Sequence, residues 1–93
     1  MDKNYIQIVR DDLEQESGCH GALLDLYTLL AFTLGENVQL IDVHDAWAIG
    51  KNRHMPKHRS IVPFEQLSEK VQLLDKKYCE AIKTVARRHK LCQ

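Results

Sequence analysis

Lys51, Arg53, Lys57 and Arg59 fall within nine consecutive residues that contain no acid, with His54 and His58 interleaved among them. Arginine forks onto two phosphate oxygens and lysine neutralises them as a point charge, so these residue types at this density are the chemistry of phosphate binding. His44 and Trp47 stand just upstream and Tyr78 follows, and an indole or phenol ring supplies a flat wall for a base. The candidate ligand-binding set is therefore His44, Trp47, Lys51, Arg53, His58, Arg59 and Tyr78. A plainer account stands beside it: Trp47 packed in the core, His44 as a hydrogen-bonded half-buried residue, and the basic run as a solvated loop.

Reactive constellations are absent from the spacing. The four glycines are scattered, so there is no glycine-rich phosphate loop. His54 and His58 are four apart, but Pro56 lies between them and a regular helix cannot align them as a zinc pair. Cys19-His20 has no second ligand pair at a workable interval. No cysteine is spaced from a histidine in a way that suggests nucleophilic catalysis, and His44 and Asp45 point to different sides of a helix. The expectation is a protein that is not an enzyme, with no catalytic residue, no metal and no cofactor.

The elements that must position the candidate set read as helices. Tyr5, Ile6, Ile8, Val9 and Leu13 recur at helical steps within a first helix over 4–16, with Asp11, Asp12, Glu14 and Glu16 on a solvated face. The glycines of 17–21 break the chain. A second helix over 22–34 is apolar nearly all round, which predicts a central position or an oligomer interface, and Gly35 is its expected left-handed cap. A third helix over 40–53 places Ile41, His44, Trp47 and Ala48 on one face, with Trp47 packed inward. Pro56 and Pro63 hold the following loop out of helix, and Ile61, Val62, Pro63 and Phe64 are expected to re-enter the core and anchor it. Beyond Ser68, either one helix runs to about Lys90 or a separate last helix is capped by Asp75. The fold class is all-α, a compact bundle of four to five helices with a long basic loop. One domain spans 1–93, with a helical hairpin over 1–36.

Composition bounds the class further. With 44% hydrophobic and 28% charged residues the chain is globular rather than disordered. No apolar run approaches the ~20 residues of a membrane span, so no membrane partner is expected. The start carries no signal-peptide pattern, and three cysteines at unrelated spacings fit reduced thiols, which together predict a cytoplasmic protein. The formal charge is zero but polarised: nine acids and two bases in residues 1–50, eleven bases and four acids in 51–93. Two halves of opposite sign are expected to pack together and pair.

The order Val43-His44-Asp45-x-Trp47, then His58, then Ile61-Val62-Pro63-Phe64-x-x-Leu67, then Asp75 resembles the repeat domain first named from ryanodine receptors (RyR) over residues 42–86. The run Leu26-Tyr27-Thr28-Leu29-Leu30-Ala31 before Val43-His44-Asp45-Ala46-Trp47 is similar to short stand-alone proteins of phages and actinobacteria. The chain departs from the RyR pattern in having only ten residues between Trp47 and His58, and Arg59 where proline is usual. The resemblance implies a RyR-repeat-like helical fold and binding of adenine-type nucleotides. For a small phage-like copy it implies a sponge that sequesters a cyclic-nucleotide or ADP-ribose messenger in an anti-defence role.

Two functional classes follow. The first is a binder of a nucleotide-derived small molecule, acting as a homo-oligomer through the apolar surface of helix 22–34. The second is an accessory factor that binds protein or nucleic acid through the basic loop and the cations between Lys83 and Lys90.

Overall fold

The computed structural model describes residues 2–92, and its described part is all-helical. Four helices of thirteen residues each carry the fold: α1 (Tyr5–Ser17), α2 (Gly21–Thr33), α3 (Leu40–Asn52) and, after a one-turn α4 (Glu69–Gln72), α5 (Lys76–Arg88). Among the described residues, no helix is long and apolar enough to cross a membrane.

Local chemistry explains the boundaries. Asn4 caps α1 by accepting from the Gln7 amide at 2.8 Å, and Gly18 ends it at φ +74°, with its own N–H donating to Glu14 at 2.9 Å. The start of α3 is held by Asp42, whose carboxylate reaches back to the Gln39 amide at 2.8 Å. Gly35 does not cap α2, which ends on Leu34; it opens a short 3₁₀ turn (Gly35–Asn37) instead. Its φ is +59°, and a Cβ there would lie 2.7 Å from the Leu91 carbonyl oxygen and 2.8 Å from Cys92 Cβ. Glycine is required here by both conformation and space.

The core forms where α1, α2, α3 and α5 meet. Leu13, Leu24, Tyr27, Val43, Ile82 and Val85 are fully buried. Each large apolar side chain so placed contributes about 1.5–3 kcal/mol relative to exposure. α2 lies at the centre, in contact with α1, α3 and α5, which accounts for most of its apolar excess; Leu29 remains 56% exposed. On α1 only Val9 and Leu13 of the apolar set face inward, whereas Tyr5, Ile6 and Ile8 are exposed. The expected five-residue stripe is thus wider than the surface α2 and α5 offer it.

One further expectation needs correction, and one open alternative is decided. None of Ile61, Val62, Pro63 and Phe64 is buried: three are half-buried and Pro63 is exposed. They cover the edge of α3 rather than re-enter the core. Asp75 does not restart a helix, since it makes no capping hydrogen bond. Ser68 caps α4 through the Val71 amide, and a 3₁₀ turn (Leu73–Asp75) carries the helix into α5 without a break. Asp75 is left with a carboxylate that its own backbone does not use.

Charge pairing links the two halves as their opposite signs require. Arg88 reaches Asp12 at 2.9 Å and Glu16 at 3.1 Å, His89 reaches Asp12 at 3.0 Å, and Arg87 reaches Glu36 at 2.7 Å.

Candidate functional site: an aromatic cleft with a free carboxylate

α3 sets out the first two residues of the site. His44 and Trp47 sit one turn apart, and their rings stack with centroids 5.8 Å apart and planes inclined by 26°. His44 is 3% exposed, and its Nε2 donates to the Val62 carbonyl oxygen at 2.7 Å. That leaves Nδ1 as the acceptor of the neutral ring. Trp47 is half-buried, not packed fully inward.

The basic loop folds back on these rings through consecutive tight turns, with Met55 N–H on Lys51, His58 N–H on Met55 and Ile61 N–H on His58. The turns bring His58 edge-on to Trp47, with ring centroids 5.3 Å apart at 82°. His58 Nδ1 accepts from the Ser60 amide at 3.0 Å, so the neutral ring carries its proton on Nε2.

From the other side come Tyr27 of α2, Asp75 of the 3₁₀ turn and Tyr78 of α5. With His44, Trp47 and His58 they line a cleft of about 410 Å³. This is the size of a small-molecule site. The Tyr27 and Tyr78 rings are 5.6 Å apart, tilted by 39°. Tyr27 is fully buried, yet its hydroxyl has no hydrogen-bond partner among the described residues. Burial first, and the charge of Asp75 second, push its phenol far above the usual range, so it stays a neutral O–H. Burial also raises the Asp75 carboxyl above its ordinary value, with His44 opposing. No lysine or arginine lines this cleft.

A second cavity, of about 420 Å³, lies on the other side of Trp47 and Leu23, which line both. Lys51, Arg53 and His54 at the end of α3 face Asp25 and the first turn of α2 there. The Asp25 carboxylate is held by Arg10 at 2.7 Å. The seven candidate residues are therefore divided: His44, Trp47, His58 and Tyr78 meet in the aromatic cleft, Lys51 and Arg53 stand beyond Trp47, and exposed Arg59 lines neither cavity. Tyr27 and Asp75 were missing from the set. Tyr27 looks like one more apolar position of α2, and Asp75 looks like a helix cap.

No group of three or more His, Cys, Asp or Glu side chains among the described residues is arranged to hold a metal ion. Cys19 and Cys79 are buried, and burial raises both thiols, the opposite of the shift that makes a nucleophile.

Fold and site together define a small helical-bundle protein with an aromatic cleft closed by a loop. The chain belongs to a family described as a domain of unknown function (DUF7701), whose model matches residues 2–87. No curated protein and no solved structure matches it. The family match overturns the RyR resemblance, because nothing links this family to the RyR repeat. The motif that carried the resemblance is a handful of His, Trp, Pro and aliphatic positions, which here close a local loop over α3. The sponge, phage and anti-defence roles rested on that resemblance and have no other support.

Proposed function

We propose that this protein is a non-enzymatic binder of a nucleotide-derived small molecule, with the base held in the cleft between Trp47, Tyr27 and Tyr78. The observation that carries this reading is the Tyr27 hydroxyl, fully buried on the cleft wall with no partner. A buried polar group left unpaired costs about 1–3 kcal/mol, and a ligand that pairs with it recovers that cost. The aromatic walls suit a planar ring, and the cleft's polar atoms suit its edge. Lys51 and Arg53 stand across Trp47, where an attached phosphate would meet them.

The competing protein- or nucleic-acid-binding reading uses the basic loop and the cations between Lys83 and Lys90, of which Arg87 and Arg88 are engaged by acids of the N-terminal half. It also predicts affinity that falls steeply with salt, whereas cleft binding changes little.

Trp47 is the only tryptophan of the chain and lines both cavities, so its fluorescence reports a ligand at either. Titration of the full chain with nucleosides and their mono- and cyclic phosphates is expected to change that emission and raise Tm. A ligand at a hundredfold excess over Kd stabilises by about 2.7 kcal/mol. If no nucleoside or nucleotide at millimolar concentration changes either signal, the reading fails.

A further inference from the structure

The polar groups of the cleft are unequal in number and kind, and that asymmetry narrows the ligand. Asp75 offers two carboxylate oxygens that neither a cap nor a cation uses. The same cleft is lined by Tyr27, whose buried hydroxyl has no partner among the described residues, and by His58, which keeps its proton on Nε2 because Nδ1 is occupied by Ser60. An occupant must therefore bring adjacent N–H donors to Asp75 and an acceptor to the hydroxyl or the imidazole. The common bases differ on this edge. Adenine and cytosine place a ring-nitrogen acceptor beside their amine, and uracil flanks its single N–H with two carbonyls. Each would set a lone pair against the carboxylate. Guanine alone presents two neighbouring donors, the ring N1–H and the exocyclic C2 amine, beside the O6 acceptor.

Resting on the nucleotide-binding reading above, we propose that the cleft selects a guanine-type edge: Asp75 accepts from the N1–H and the C2 amine, Tyr27 or His58 donates to O6, and Trp47 lies against the ring. Asp75 acts as the specificity determinant. The two unmet groups, a carboxylate without donors and a hydroxyl without a partner, are then the two halves of one recognition pattern.

The test is a competition among nucleosides on the full chain, read by calorimetry and Trp47 emission. Guanosine is expected to bind at least about 10-fold tighter than adenosine, cytidine or uridine, because a site built for a donor rejects ligands lacking it. Inosine, which lacks only the C2 amine, is expected to lose most of that advantage without any change to the protein. Asp75→Asn is expected to lose guanosine and gain xanthosine, whose C2 carbonyl accepts from the new amide. Inosine binding as tightly as guanosine, or adenosine matching it, overturns the guanine selection while the nucleotide reading stands. Failure of every nucleoside overturns the reading beneath it. The inosine comparison decides the matter even if Asp75→Asn does not fold.

Discussion

His44 Nε2 donates to the carbonyl oxygen of Val62 at 2.7 Å, and this bond ties the loop after α3 to the helix that precedes it. The two residues are eighteen apart in sequence, with the whole basic run between them. The loop therefore has a fixed anchor at its far end, and His58 is held against Trp47 instead of waving in solvent.

His44→Ala removes that anchor and leaves the Val62 carbonyl without its protein partner. The expected loss is about 1–3 kcal/mol for the unmet group, plus the lost ring packing. Each kcal/mol lowers Tm by about 4–8 °C in a domain of this size. Hydrogen exchange across 55–63 is expected to accelerate more than exchange in α2, and uniform acceleration would place the role of His44 in the core instead.

Tyr27→Phe deletes only the orphaned hydroxyl. The free protein is expected to keep its stability or gain about 1 kcal/mol, since the removed group had no partner to lose. Ligand affinity is expected to fall at the same time. A variant that loses stability and retains affinity would show that the hydroxyl serves the fold and not the cleft.

Asp75 gives the free protein a pH dependence of known sign. Its folded pKa lies above the ordinary 3.8, raised by burial and lowered by His44, with Tyr27, His58 and Tyr78 as its other titratable neighbours in the cleft. Between those two values the folded chain binds more protons than the unfolded chain, so this residue's contribution to stability declines as pH rises through that window. At neutral pH Asp75→Asn is expected to raise Tm by a few degrees, and the gain should vanish below pH ~4, where the unfolded carboxyl is protonated. Melting curves of both proteins against pH check this. A gain that does not change with pH would assign it to packing.

Arg88→Ala breaks the contacts from α5 to Asp12 and Glu16 on α1. All three side chains are partly exposed, so the expected cost is at most about 1 kcal/mol and shrinks in high salt. Denaturant titrations at low and high salt measure it.

Helices α1 to α3 were legible within a residue or two because glycine, proline and helical spacing mark their ends in the chain itself. The grouping of His44, Trp47, His58 and Tyr78 was legible too, as aromatic and imidazole residues set around one loop. The roles of Tyr27 and Asp75 were not. A tyrosine in an apolar helix reads as core until the absence of a partner for its hydroxyl is seen. An aspartate before a helix reads as a cap until the 3₁₀ turn (Leu73–Asp75) makes a cap unnecessary. The depth of the anchors was equally hidden: Ile61, Val62 and Phe64 are apolar enough for the core, yet they are half-buried over α3.

The walls of the cleft come from α2, α3, the loop, α4, the 3₁₀ turn (Leu73–Asp75) and the start of α5, segments far apart in sequence that meet only in the fold. A molecule seated there would be released by any opening that separates these segments, so its occupancy would be coupled to those openings. If the proposed ligand binds, filling the cleft is expected to slow proteolysis at sites that are cut only through unfolding of its walls. Under that reading the lifetime of the protein would record how much ligand surrounds it.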